Sequence, residues 1–270
     1  MTSRSRASFP QILSSLSVYL CILLGSILVV WLQIPQLNAL KEQGTEISPE
    51  TYRQEVQQEK MRLALLKNFP AFGFDNLFAN WVLLQYFQYF GDDEARAVTG
   101  YELAPDYFNI ILDRDPRFLD AYFFLATGGT LYAAQPEETN ALMERGLQFV
   151  TPQVPKRSYY ILRHKAINEL LFLPNAQQQA RATFEKSAEW AETYDDEESQ
   201  RVARASRSMA QFLANNPESQ TAKVAAWGMV LQTVPDERTQ NIAIRQIEAL
   251  GGKVQRTAEG GFQVMPPAQD

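Results

Sequence analysis

The first strong pattern in the chain is a missing one: no charged residue occurs from Ala7 to Leu40. Within that stretch Leu16 to Ile34 is almost wholly apolar, LSVYLCILLGSILVVWLQI. Those residues make a helix of roughly 28 Å, close to the hydrocarbon thickness of a bilayer. Trp31 suits the far interface, and Pro35, which has no N–H, suits the stop. The pattern predicts a transmembrane helix over 16–34, with a tail at 1–15 and a polar linker at 35–47. A cleaved signal peptide fits less well. Its apolar region is normally about 7–15 residues and ends at small residues spaced A-x-A, whereas Leu37-Asn38-Ala39 puts a bulky side chain at the first of those positions. Cys21 follows Val18-Tyr19-Leu20 in mid-span, so it does not read as a lipid-attachment site.

After the linker the hydrophobic period becomes helical. Ser48-Pro49-Glu50 has the order of a helix start, with a Ser cap, Pro at the first position and an acid in the first turn. Apolar residues then recur at three- and four-residue spacing to about Leu250. Breaks at Pro70, Gly91, Pro116, Pro136, Pro152/Pro155, Pro174, Pro217 and Pro235 predict helices of roughly 12–20 residues. The fold class is all-α over 48–250. At 251–270 two alternating runs flank Glu259-Gly260-Gly261, the pattern of a small C-terminal hairpin and tail. Aromatics from Phe72 to Phe90 surround their helix on every side, which predicts a central core helix, or one covered in part by a membrane partner or lipid.

Charge fixes an orientation. Arg4 and Arg6 precede the apolar span, and the single cation Lys41 follows it among Glu42, Glu46 and Glu50. The positive-inside rule places the N-terminus in the cytoplasm and the body on the exported side. The whole chain carries −6, which gives no general attraction for nucleic acid.

The chain has one Cys and one His. A disulfide framework, a Cys-cluster metal site and any site needing two imidazoles are excluded. His164 lies in Arg163-His164-Lys165, where neighbouring cations disfavour protonation, and no serine elbow accompanies it. Asp113-Arg114-Asp115 with Asp120 has the opening of a calcium loop but neither its Gly nor its terminal Glu. Asp195-Asp196-Glu197-Glu198 followed by Arg201, Arg204 and Arg207 predicts a helix start and a salt-bridged face. Gly128-Gly129 and Gly251-Gly252 lack the ending of a phosphate loop and suit a close helix approach and a helix stop. No enzyme, cofactor or metal is expected.

Successive helices share a further pattern. Ala180, Phe184 and Ser187 fall on one face, as do Ala104, Phe108 and Ile111 before Pro116, and more weakly Met143 and Gly146 before Pro152. Trp81 with Leu84, and Tyr122 with Leu125-Ala126, occupy the preceding helices. This set resembles a degenerate tetratricopeptide repeat over residues 75–192. The chain as a whole is similar to a family of single-pass, repeat-containing proteins of oxygenic photosynthetic bacteria. The resemblance implies antiparallel helix pairs stacked so that first helices line a concave face, since a pair cannot bury its apolar faces alone. It places Asp120, Phe123, Thr127, Thr130, Tyr160 and His164 in a partner groove; the alternative for Phe123 is packing against the aromatic helix at 72–90. The expectation is a non-enzymatic scaffold, tethered by its N-terminal helix in the periplasm or thylakoid lumen, that binds protein subunits and aids assembly or maintenance of a membrane complex. The alternative is an envelope component supporting export of protein or polysaccharide.

Overall fold

The computed structural model describes residues 22–35, 48–234, 236–257 and 260–268. The chain divides into two compact units, Met1–Tyr52 and Arg53–Asp270. In the first, residues 22–35 form helix α1, and its large apolar side chains are exposed, Trp31 at 69%. The span expected from Leu16 begins outside the described residues, as do the tail and the linker from 36 to 47. Among the described residues no helix is long and apolar enough to cross a membrane.

The rest is mostly helical, and local sequence explains most boundaries. α2 (Pro49–Lys67) begins with the Ser48 hydroxyl accepting the Thr51 N–H at 3.3 Å. α3 (Asp75–Gly91) leads at once into α4 (Asp93–Thr99), because the Asp92 side chain caps the new helix at the Ala95 N–H, 3.0 Å away. α5 (Ala104–Arg114) stops before Pro116, and α6 (Leu119–Leu125) continues into a π-helical segment, Ala126–Tyr132. α7 (Pro136–Leu147) starts on its own proline. Then come α8 (Tyr159–Phe172), α9 (Gln177–Ala191), α10 (Glu197–Asn215), α11 (Gln220–Thr233) and α12 (Glu237–Ala249). The acidic run caps α10 as expected: Asp196 accepts the Ser199 N–H at 3.0 Å, and Glu197 pairs with Arg201 at 2.8 Å. The C-terminal hairpin is present as β1 (Lys253–Arg256) and β2 (Phe262–Met265), antiparallel with Val254 opposite Val264.

Two expectations are corrected. The helices are less uniform than the proline spacing suggests, since α4 and α6 have only seven residues each. In the first case a second cap restarts the helix; in the second, i→i+5 hydrogen bonds replace i→i+4 ones. The helix at 72–90 is also not a fully buried core helix. It begins at Asp75, Phe72 and Gly73 having left-handed backbone, and it buries only Ala79, Val82, Leu83, Tyr86 and Tyr89. Those five recur at three and four residues and point into the body. Trp81 and Leu84, expected at packing positions, fall on the opposite face and are exposed.

Elsewhere the predicted faces are the buried ones. Ala104, Phe108 and Ile111 on α5, and Ala180, Phe184 and Ser187 on α9, have no exposed surface. α3 packs on α5, α8 on α9, α9 on α10, and α11 on α12. α11 also returns against α8, and the hairpin covers α11 and α12, with Val264 3.4 Å from where a Cβ on Gly228 would stand. At the start of α12 Arg238 donates to the Tyr101 hydroxyl at 2.8 Å, and its guanidinium lies 4.9 Å from the centre of the Tyr132 ring.

Close packing makes one substitution informative. A Cβ at Gly146 would lie 1.9 Å from the Tyr122 hydroxyl oxygen, which is itself held 2.6 Å from the Pro116 carbonyl. Gly146→Ala should therefore cost about 1–3 kcal/mol in unfolding experiments. Gly91→Ala, where a Cβ meets open space, should stay within about 0.5 kcal/mol of the parent. Phe184→Ala should cost about 3–5 kcal/mol as a buried aromatic truncation. Equal stability of the Gly146 and Gly91 variants would contradict this packing.

Candidate functional site

Five of the six groove residues meet in one place. Phe123, Thr127 and Thr130 from α6 and the π segment face Tyr160 and His164 from α8 across a cavity of about 350 Å³. The sixth, Asp120, is exposed in the first turn of α6 and does not line it. The cavity is not the open concave face that the repeat resemblance implies. Met229, Val230 and Thr233 of α11 form a third wall and turn the groove into a cup.

Each wall has a local cause. In the π segment the Ala133 N–H reaches back five residues to the Gly128 carbonyl at 2.9 Å. The extra residue in the turn lets Gly128 and Gly129 nest where no side chain fits: a Cβ would lie 2.0 Å from the Tyr86 hydroxyl at the first and 2.3 Å from Thr139 Oγ1 at the second. Segments of this type recur at functional sites. On α8, Tyr160, His164 and Asn168 succeed one another at four residues, with Arg163 and Ile167 on the same stripe. Arg163 was read from the sequence only as a cation beside His164, and Asn168 and Ile167 were not singled out, although their spacing from Tyr160 and His164 was legible. The α11 wall lies beyond the repeat pattern and carries no sequence signal of its return.

Phe123 resolves differently from its neighbour. Its ring lies 5.3 Å from Phe124 and 5.7 Å from His164. Phe124, not Phe123, meets the aromatic helix, 4.8 Å from Phe87. Phe123 and Thr127 also line an adjoining cavity of about 400 Å³ walled by Phe87, Phe90, Tyr101 and Tyr132. The two cavities share Phe123, Thr127 and Val234, and the lining of the second also includes Asp93, Asp236 and Arg238.

Electrostatics at α8 are uneven. Burial, reinforced by Arg163, holds the His164 imidazole down to about 4, so it is neutral at pH 7. Burial also lowers the Arg163 guanidinium from its usual range. The Tyr160 hydroxyl donates to Glu198 at 2.8 Å, and Glu198 is paired with Arg157 at 2.6 Å. Burial first, then Glu198, pushes the Tyr160 phenol up. Away from the cavity wall, Lys165 is buried but doubly paired, with Glu169 and with Glu144 at 3.0 Å. Thr130 donates to Asn168 Oδ1 at 2.8 Å, and the Asn168 amide donates to the Pro136 carbonyl at 3.0 Å. The lining offers hydroxyls, an amide, one imidazole and one guanidinium, and no carboxylate or thiol. Such a surface binds a largely apolar molecule through a few fixed polar contacts.

No family model, no curated protein and no solved structure matches this chain.

The depressed imidazole has a consequence for stability. Its folded value lies below the unfolded value of 6.5, so the unfolded chain binds the proton first. Stability is full above the unfolded value and falls as pH drops from there to about 4, by up to about 3 kcal/mol. His164→Gln should remove that part of the pH dependence, and NMR titration of the imidazole should give a midpoint near 4. A midpoint at its ordinary value would contradict the buried setting.

Proposed function

We propose that this chain is a non-enzymatic, membrane-tethered interaction scaffold that aids assembly or maintenance of a membrane complex. Its helical body reads as a degenerate tetratricopeptide-like stack, supported by the burial of Ala104, Phe108, Ile111, Ala180, Phe184 and Ser187 between helices. The observation that carries the proposal is apolar surface left open in two regions. One is α1, whose side chains suit hydrocarbon rather than water. The other is the end of α2, the start of α3 and the turn between them, where Leu65, Phe69, Phe72, Phe74 and Leu77 are all more than half exposed, Phe72 at 80%. Arg114 fixes this turn by donating to the Phe69 carbonyl at 2.5 Å and pairing with Asp75 at 3.2 Å. Contiguous exposed aromatics on a fixed turn are characteristic of docking faces. Tethering raises the effective concentration of such a face near membrane partners. The resemblance stated above makes a photosynthetic membrane complex the first partner to seek, with the body on the exported side.

Two measurements test this reading. The full chain should resist alkaline extraction and need detergent for release, and protease at the cytoplasmic face of oriented vesicles should leave 41–270 intact. Release at alkaline pH, or digestion of the body from that face, would overturn the tether or its direction. After cross-linking in membranes, a Phe72→Ser/Phe74→Ser/Leu77→Ser variant should lose the copurifying complex with an unchanged melting temperature, while Phe123→Ser should keep it. The reverse result would move the partner into the cup.

A further inference from the structure

We infer that the cup between α6, α8 and α11 binds an amphiphilic monocarboxylate, its carboxylate on Arg163 and its apolar chain against Phe123, Ile167 and Met229. This site is separate from the docking face on α2 and α3, and it assigns the chain a small-molecule ligand that the scaffold reading does not require.

The starting observation is an unpaired cation. Arg163 lines the cup and is half-buried, with no guanidinium nitrogen sealed from solvent, yet among the described residues no carboxylate lies within ion-pair distance of it and no hydrogen bond holds it. Arg157, Arg201 and Arg207, by contrast, each hold a carboxylate at 2.6–2.8 Å. A guanidinium recessed in a largely apolar cup keeps its N–H donors uncommitted to protein, and an anion entering the cup would engage them.

The polar inventory then sets the class of ligand. The Thr127 hydroxyl donates to the Phe123 carbonyl at 3.3 Å, the Thr233 hydroxyl to the Met229 carbonyl at 3.1 Å, and Thr130, Asn168 and Tyr160 are engaged as described above. The donors left for a ligand are the Arg163 guanidinium, the neutral His164 imidazole and the second N–H of the Asn168 amide. All three stand on α8, and the apolar part of the lining includes Phe123, Leu131, Ile167, Phe172, Met229 and Val230. One cation and two neutral donors match a single charge. A guanidinium fork matches a carboxylate in two parallel bonds, whereas a doubly charged phosphate would need further donors. An extended peptide would bring a backbone N–H and C=O at every residue into a wall with three free donor groups. A molecule with one polar end and an apolar body leaves none of its groups unsatisfied. The cup's volume lies at the low end of the roughly 300–1,000 Å³ typical of small-molecule sites.

His164 is the only histidine in the chain, so its ring resonance reports on the cup alone. The test uses the full chain in phosphatidylcholine nanodiscs without detergent, titrated with octanoate. The His164 signal should move saturably. The midpoint should rise at least about tenfold for octanoate against Arg163→Met and for octanol against the parent, the loss expected for a charge-assisted contact. Arg163→Met should melt no lower than the parent, since it removes an unpaired charge. Thr233→Trp, which fills the cup from an exposed position of its lining, should abolish the response without lowering the melting temperature. Absence of a saturable shift, equal midpoints for parent and Arg163→Met, or octanol binding as tightly as octanoate would overturn the proposal. Octyl phosphate binding at least tenfold more tightly than octanoate would overturn the carboxylate assignment. A much lower melting temperature for Arg163→Met would show that the guanidinium already has a structural partner.

Discussion

The helical body depends on three places where a side-chain oxygen occupies the space of a missing Cβ. The Tyr86 hydroxyl fills it at Gly128, Thr139 Oγ1 at Gly129, and the Tyr122 hydroxyl at Gly146. Through them α3, the π segment, α6 and α7 approach more closely than any larger residue would allow, and the aromatic rings behind the hydroxyls become the centre of the core. Tyr86 lies 4.6 Å from Phe108 in an edge-on arrangement. The cup inherits its dimensions from this nesting, because the segment carrying Thr127 and Thr130 is the one that Gly128 and Gly129 hold in place.

Much of this was legible in the sequence, and the reasons divide cleanly. The faces of α5 and α9 could be read because their apolar residues follow one helical period and each is covered by a sequence neighbour. Caps at Ser48 and Asp196 could be read because they act within three residues. The pairing of Phe123, Thr127 and Thr130 with Tyr160 and His164 followed from placing the first helices of successive pairs, α6 and α8, side by side. What could not be read depends on distant chain. Trp81 and Leu84 share the periodicity of a packing face, but that of α3 is rotated away from them, and a helix apolar on all sides gives no cue to its rotation. The third wall requires α11 to turn back on α8, which no local pattern announces. Asp120 was placed by register alone, and the start of α6 leaves it in solvent.

Helix α8 shows how one short run can serve opposite ends. Arg163, His164 and Lys165 read as a small basic cluster, yet the three side chains have different fates. Lys165 is inside and held by Glu169 and Glu144. His164 is neutral against Phe123 and Tyr160. Arg163 keeps its charge without a local counter-ion. Helical geometry turns three consecutive residues through most of a circle, so sequence proximity says little about electrostatic environment. The open aromatic turn at Phe69–Phe74 and the closed cup are likewise distinct kinds of apolar surface: one faces outward on a fixed turn, the other is recessed and carries polar groups on α8.

Arg238 meets Tyr101 across 137 residues of chain, and this alters the kind of molecule the stack is. An open array of helix pairs behaves as a one-dimensional object in which units can be added, lost or melted from either end with only neighbours affected. A contact from the last helix back to the first part of the body closes that line into a loop. Unfolding of the C-terminal helix is then no longer an end effect, because it strips the cover from Tyr101 and Tyr132 in the interior of the sequence. Length becomes fixed: an inserted pair would separate Arg238 from its aromatic seat. A body closed in this way should unfold as one unit rather than melt from its ends, and should not extend as a solenoid does.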